Sequence, residues 1–508
     1  MGKNLYIGVD LGTSFIKAGA YDLEGCQVAE SSSPVRDERP APGVFIQRGD
    51  FLYEAVVDCL KNVTEKLGEE AAQVKAIAFT GQMAGSMGVG DDWEDITTWS
   101  CTLDSRFTPY AEQQRELFGE DMFQIGGTSA PVMCSKYAWF KQEFPQEHKK
   151  IRKYVMLNGY MIGRLAEIPV EEAAIDYSLI TWTGMSDIKN RSWSEKICSE
   201  IGMERDMLPK VVSPTTICGY LADGAAAEVG LPKGLPLVAG AGDKVAGCTG
   251  AGIFDEGEMI FEAASYGAIS VNVRDVRLDH ESRNYDAIGA VDDQSYYLHK
   301  YIQGSGISTD WFVNTFFRTE GMTKKEAFAR AEDLAQKIGV GSDKLMAIGL
   351  LGGSSIPFNK DLKGMFLGHT WMHHAGHFYH ALMESFSYDL ALTLNSIMEK
   401  YPQYADRKIK LIGGGAKSSF WPQMLADVTG HTFQQINRED AAMWGAALLA
   451  AKAVGDVDDL KTYSKKFIEV KKEYVPDPEK HEKYQPYVQF YKKLMDESTR
   501  LYRELEQI

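Results

Sequence analysis

Seven cysteines in 508 residues, widely spaced and with no CxxC pair, leave nothing from which to build a disulfide framework or a zinc site. They predict reduced thiols, most of them buried. Basic charge is also in short supply: 54 Lys and Arg stand against 71 Asp and Glu, a net charge of −17. Such a chain repels phosphodiester backbones, and its densest basic run, His148 to Lys153, reads as a solvated surface segment, so no nucleic acid partner is expected. No apolar run approaches the roughly 20 residues of a membrane span. The start, Met1-Gly2-Lys3-Asn4, leads into a strand pattern and not into the apolar core of a signal peptide. A cytoplasmic protein with no membrane partner is the expectation. What remains is ordinary globular composition, 44% hydrophobic and 25% charged. At about 100–200 residues per domain the length suggests two to four domains.

Two strand-like runs, Leu5 to Asp10 and Phe15 to Asp22, flank a Gly/Thr/Ser turn and predict a hairpin. A helical pattern covers residues 50–70. The apolar run Val74 to Thr80 breaks into Gly81-Gln82-Met83-Ala84-Gly85. Leu235 to Ala239 reads as a buried strand that ends in Gly240-Ala241-Gly242-Asp243 and leads into a small-residue helix. Near Gly257 the pattern starts again. Met259 to Ala264 and Gly267 to Val271 form a second strand-turn-strand, and Ile409 to Ile412 runs into Gly413-Gly414-Gly415-Ala416 before a helix with Phe420, Met424, Leu425 and Val428 on one face. A hairpin opening and a later strand-Gly-helix unit therefore each occur twice. The boundary is expected near residues 250–257, giving domains 1–252 and 253–508. A helix packing back on the body is predicted from about residue 476.

Four groups of residues can carry chemistry. Asp10 ends a strand, and Gly12, Thr13 and Ser14 form the turn after it. Backbone N–H groups in such a turn can cradle phosphate, and the carboxylate can hold Mg²⁺ through water; a plain hairpin turn has the same composition. Gly413, Gly414, Gly415 and Ala416 sit between a strand and a helix, where glycines admit a ligand to the backbone, although the run lacks both the P-loop and GxGxxG spacings. Asp243, just past a strand in a glycine-rich turn, suits a catalytic base; the bland reading is a helix N-cap. Gln82, Asp104 and Arg106 offer hydrogen bonds to a polyhydroxylated ligand; the bland reading of Asp104 with Arg106 is a surface or loop salt bridge.

The order of these blocks is more informative than any one of them. Asp-x-Gly-Thr-Ser, Gly-Gln-Met, Asp-x-Arg, Gly-Asp and Gly-Gly-Gly-Ala before an amphipathic helix resemble the FGGY family of carbohydrate kinases, from about Tyr6 to Ala451. The similarity is densest over residues 6–22, 239–252 and 410–447. The last block includes Trp421 to Asp427 and Ala442 to Ala447 and looks like the family's adenine-nucleotide signature.

The resemblance implies an α/β chain of two actin-like (ribonuclease H-like) domains with a catalytic cleft between them. The sugar would lie mainly against the first domain and ATP mainly against the second. It implies that Asp243 is the base and Asp10 the Mg²⁺-associated carboxylate. Gly12, Thr13 and Ser14 would form the first phosphate loop, and Gly413 to Ala416 the nucleotide loop. Ser265 falls in the second domain's phosphate turn. Gln82, Met83, Asp104, Arg106 and Asp243 fall where the family contacts its sugar. A homodimer is implied by analogy of fold alone.

Three departures stand out. The xylulose kinase-like branch, the nearest in pattern, usually carries Gly-Gln-Met-His-Gly and Trp-Asn-Asp-Gly-Arg; here Ala84 takes the His position, and Thr102 and Leu103 precede Asp104. Lys244 follows the base. Ala264-Ser265-Tyr266 replaces the usual Gly-Thr-Ser turn. The expected activity is phosphorylation of a small sugar, with a ketopentose such as xylulose first. A hexulose, a sugar acid or a polyol is the alternative acceptor. A non-enzymatic actin-like ATP-binding assembly or regulatory protein is the alternative of another class.

Overall fold

A computed structural model describes residues 3–128 and 130–508. The chain divides into two compact units. The first comprises Met1–Phe254, Ala287–Tyr297 and Asp440–Ile468; the second comprises Asp255–Asp286, Leu298–Glu439 and Glu469–Ile508. The grouping of Asp440–Ile468 with the first unit is not visible in contiguous ranges such as 1–252 and 253–508.

The first unit is built on a six-stranded sheet. Its spatial order is Ile217–Tyr220, Pro236–Val238, Val74–Gly81, Leu5–Leu11, Phe15–Tyr21 and Gln27–Pro34. Leu5–Leu11 is antiparallel to Phe15–Tyr21 and parallel to Val74–Gly81, which in turn is parallel to Pro236–Val238. All residues of Leu5–Leu11 except Asp10 are buried, the pattern of a strand covered on both faces. The Gly49–Leu67 helix turns Leu52, Ala55, Val56, Cys59, Leu60, Val63 and Leu67 inward, at the three- and four-residue spacing of an apolar stripe.

The Ala441–Ala453 helix is apolar nearly all round and correspondingly buried. It lies on Leu5–Leu11 and Val74–Gly81 and against the Asp243–Gly250 helix. Trp444, Ala447, Leu448 and Ala451 share a core with Tyr6, Tyr21, Ala76, Ala78 and Val238. The contacts are close enough to require glycine: a Cβ on Gly445 would sit 1.9 Å from the Ala246 carbonyl oxygen, and one on Gly250 would sit 2.0 Å from that of Ala441.

In the second unit Gly267–Val273, Met259–Glu262, Ile409–Ile412, Phe433–Ile436 and Val470–Tyr474 are consecutive neighbours. Met259–Glu262 is antiparallel to Gly267–Val273 and parallel to Ile409–Ile412. Ile409–Ile412 is parallel to Phe433–Ile436, which is antiparallel to Val470–Tyr474. This repeats the strand senses of the first unit, with two mixed sheets flanked by helices, the ribonuclease H-like arrangement expected. The repeat is offset from the one read in the sequence. Gly413 follows the strand that pairs directly with the opening hairpin, so its counterpart by topology is Gly81 and not Gly240.

The Ala375–Lys400 helix is buried along most of its length. It packs against Lys324–Ala335, Trp421–Thr429 and the terminal Pro478–Leu505 helix. That last helix buries Tyr484, Val488, Tyr491 and Leu494 and packs back on its own unit, as its pattern predicts. Five of the seven cysteines are buried and all are free thiols.

Candidate active site

The three parallel strands of the first sheet end at one edge, where ligands of α/β sheets bind. Asp10 pairs in register with Thr80 and Leu11 with Gly81. Asp10 is half-buried, and Gly12, Thr13 and Ser14 turn the chain into the next strand. The Gln82 N–H donates to the Leu11 carbonyl at 3.2 Å. On the other side Gly240 has φ +70°, and a Cβ there would lie 1.7 Å from the Phe79 carbonyl oxygen, so this turn needs glycine. Asn158 is buried and its Nδ2 donates to both Phe79 and Ala239 carbonyls at 3.2 Å, stitching the two strand ends together.

This turn delivers Asp243 to the first position of the Asp243–Gly250 helix. Gly242 is the N-cap, so the Asp243 carboxylate is not used as the cap. Its Oδ1 accepts the N–H of Lys244 at 2.8 Å, and its Oδ2 lies 3.4 Å from Lys244 Nζ. The Asp243 side chain is 32% exposed, whereas that of Lys244 is 12% exposed. Met83 is buried with its side chain against Gly242. Asp10, the Gly12–Ser14 turn, Gln82, Met83 and Asp243 thus share one sheet edge.

Asp104 and Arg106 reach this region through a short pairing of Gly85 with Cys101 and Ser86 with Ser100. The Arg106 guanidinium donates to both Asp104 oxygens, from Nε at 2.9 Å and from Nη2 at 2.7 Å, and Ser100 Oγ donates to Oδ2 at 3.0 Å. The two residues therefore bond each other, as the bland reading had it, but Asp104 is 1% exposed, so this is not a surface pair. Burial pushes the Asp104 carboxyl up; the bonds from Arg106 outweigh that and hold it below the usual carboxylate range. A carboxylate with a depressed pKa stabilises the fold fully above its unfolded value and loses that contribution as pH falls through its folded value. Asp104→Asn is accordingly expected to lose the part of the wild-type acid destabilisation that appears below about pH 4. Melting temperatures of the two proteins between pH 3 and pH 6 check this.

Several residues at this edge carry no sequence signal. Gln47 Nε2 donates to the Thr13 carbonyl at 2.8 Å, and the Gln47 carbonyl accepts the Trp99 N–H at 2.8 Å. Trp99 Nε1 in turn donates to Gln82 Oε1 at 3.3 Å. Lys136 is 1% exposed, with its ammonium bonded to the Ser100 carbonyl and 4.6 Å from the centre of the Phe107 ring. Burial pushes that ammonium down to about 7. Asp176 is equally buried, and burial pushes its carboxyl up to about 7. These partners lie far apart in the chain, and nothing in the local pattern links them.

In the second unit the Gly413–Ala416 turn and the Ala264–Tyr266 turn meet. The Gly415 N–H donates to the Ala263 carbonyl at 2.8 Å, and Gly413, at φ +91°, passes so close that a Cβ would lie 2.6 Å from the same oxygen. Gly414 has open space beside it. Ser265 is exposed, and its carbonyl accepts N–H bonds from Gly306 and Ile307, which open the Ser305–Phe316 helix. Ala264 does not have positive φ, so its methyl group adds no backbone strain to the turn. Trp444, within the block that looks like the adenine signature, belongs to the first unit's core instead, its ring 5.6 Å from that of Tyr21.

Among the described residues no helix is long and apolar enough to cross a membrane, and no group of three or more His, Cys, Asp or Glu side chains is arranged to hold a metal ion.

The profile of the N-terminal domain of the FGGY family of carbohydrate kinases matches residues 5–250, and that of its C-terminal domain matches residues 272–454. The chain is 26% identical to a xylulose kinase of Bacillus subtilis (strain 168), over 96% of each chain. It is also 26% identical to a gluconokinase of the same organism, over 90% of this chain and 89% of the other. Among solved structures, a gluconate kinase from Lactobacillus acidophilus superposes with a TM-score of 0.89 at 22% identity, covering 99% of this chain and all of the other, and shares its fold. With both family domains matched in order along most of its length, the chain belongs to the FGGY family of carbohydrate kinases and is a sugar kinase.

Proposed function

We propose that the enzyme transfers the γ-phosphoryl group of ATP to a hydroxyl of a ketopentose such as xylulose, with Asp243 as the general base. The observation that carries this reading is the placement of Asp243. Its carboxylate sits at the carboxyl edge of the parallel strands, partly exposed and spared from capping its own helix. The sugar oxygen forms a bond to the γ-phosphorus, the bond from that phosphorus to the β-bridging oxygen breaks, ADP leaves, and the hydroxyl proton passes to Asp243.

Gln82, Met83, Asp104 and Arg106 would position the sugar. Fixed by Asp104 on two atoms, Arg106 presents a preorganised guanidinium edge. Gly12, Thr13 and Ser14, and Ser265 with the Gly413–Ala416 turn, would cradle phosphate through those main-chain N–H groups that the turns leave available, the Gly415 and Ala416 N–H groups being bonded to the Ala263 and Gly413 carbonyls. Mg²⁺, when bound, supplies charge neutralisation on the phosphates. Asp10 suits it, because this ion keeps most of its water and asks for only one or two protein carboxylates.

A sugar acid is the second reading. It is favoured by equal identity to a gluconokinase and by the Lys244 ammonium held beside Asp243. ADP release with Mg-ATP across pentuloses, hexuloses, sugar acids and polyols separates the two. Xylulose-dependent turnover supports the first reading, and turnover confined to gluconate-like acids replaces it with the second. Turnover with neither overturns both acceptor assignments.

A further inference from the structure

Four consecutive amides lead into Asp243, and each has a partner. The N–H groups of Ala239, Gly240 and Ala241 donate to the main-chain carbonyls of Thr216, Pro214 and Phe79, at 3.0, 3.0 and 3.2 Å. The fourth, that of Gly242, donates to a side chain, Ser178 Oγ, at 3.0 Å. Ser178 is fully buried, and its hydroxyl donates to Asp176 Oδ1, which also accepts the Ser178 N–H at 2.8 Å. Asp176 is 1% exposed and ends the Ala174–Asp176 strand, which pairs in parallel with Lys210–Val212. Its Oδ2 is buried and has no hydrogen-bond partner.

We infer that Asp176 and Ser178 form a positioning relay for the phosphoryl-transfer step, in which a buried carboxyl orients the Ser178 hydroxyl so that its lone pair holds the Gly242 amide and fixes Asp243 at the start of its helix. This rests on the reading of Asp243 as the base. The chemistry favours the relay over a purely structural contact. A serine hydroxyl rotates freely and can donate or accept in any direction. Tying its proton to Asp176 Oδ1 leaves a hydroxyl lone pair for the Gly242 amide, and the two bonds in series polarise one another. A buried carboxyl left with one unpaired oxygen is costly to the fold. Its presence two hydrogen bonds away from the Asp243 turn is explained if it serves that turn. Neither residue touches the reacting atoms; both act through Gly242.

The test uses the full-length enzyme with Mg-ATP and the sugar that gives turnover. Ser178→Ala, Ser178→Thr and Asp176→Asn are compared with wild type and with Asp243→Asn. Ser178→Ala is expected to lower kcat on the order of tenfold with KM for sugar and ATP within about twofold, because the amide loses its partner while the binding groups stay in place. Ser178→Thr keeps the hydroxyl and is expected to recover most of kcat. Asp176→Asn keeps one acceptor oxygen for Ser178 but replaces the other with a donor that can compete for the hydroxyl, and should fall between. Wild-type kcat in folded Ser178→Ala, or a loss that appears in KM and kcat alike and is not rescued by threonine, would overturn the relay. If Ser178→Ala does not fold, Asp176→Asn decides, and wild-type kcat there overturns it. Asp243→Asn separates the two readings: full turnover in that variant sinks the base, whereas an inactive Asp243→Asn beside a fully active Ser178→Ala sinks the relay alone.

Discussion

Asp243→Asn is expected to fold, to bind ATP and to lose phosphoryl transfer by about 10²–10⁴-fold, the range that a positioned general base contributes. The substitution is nearly isosteric and the site tolerates it structurally. The Oδ1 that accepts the Lys244 N–H at 2.8 Å has a counterpart in the asparagine amide oxygen. No cap is lost, because Gly242 and not Asp243 occupies the N-cap. What disappears is a carboxylate able to take the hydroxyl proton. The measurement is kcat by ADP release beside ATP affinity by calorimetry; retained affinity with lost kcat is the expected split, and undiminished kcat would reject Asp243 as the base. The Lys244 ammonium, 3.4 Å from Oδ2, would then face a neutral group, so a small change in melting temperature is expected as well.

The second large effect concerns packing. Gly445→Ala places a methyl 1.9 Å from the Ala246 carbonyl oxygen, and the atom in the way is backbone, which has no rotamer to change. The Ala441–Ala453 and Asp243–Gly250 helices must part. Overpacking of this kind costs about 1–3 kcal/mol, occasionally more. At about 2 °C per kcal/mol, the low end of the range and fitting for a unit this large, a fall of a few degrees in melting temperature is expected. Turnover should fall too, because one of the helices forced to move begins at Asp243. Thermal denaturation and kcat on the same preparation check both; an unchanged melting temperature would contradict the close crossing.

Much of this was legible in the residues, for identifiable reasons. Strands buried on both faces write themselves as short apolar runs, and Leu5–Leu11, Val74–Gly81 and Ile409–Ile412 lie where those runs are. Glycines that a turn cannot do without, Gly240 and Gly413 among them, mark strand ends because no other residue fits there. Gly12, where a Cβ would lie 2.6 Å from the Phe15 carbonyl oxygen, stood out for the same reason.

Tertiary partnerships were not legible. Nothing around Gln47, Trp99 or Asn158 announces that they tie together turns that are distant in sequence, since a hydrogen bond between residues 34 or 81 apart leaves no local period. The offset of the internal repeat was missed because a glycine-rich strand end looks alike whichever strand it closes. The Ala264 departure adds no backbone strain. A missing glycine matters where φ is positive, and here it is not.

The small-residue helix Ala441–Ala453 also bears on how the gene can be divided. Its apolar surface covers Tyr6, Tyr21, Ala78 and Val238, residues encoded more than 200 codons earlier. Residues 1–254 are thus an interrupted unit, completed by a segment that lies beyond most of the second unit. A chain stopped at residue 254 would carry the proposed base Asp243 and the proposed Mg²⁺ carboxylate Asp10, yet bare the face that Trp444 fills. Separately expressed halves are therefore poor reagents for assigning sugar and nucleotide binding, and supplying residues 440–468 in trans, or fusing them to the first half, is the rational route to a fragment on which the proposed sugar binding can be tested.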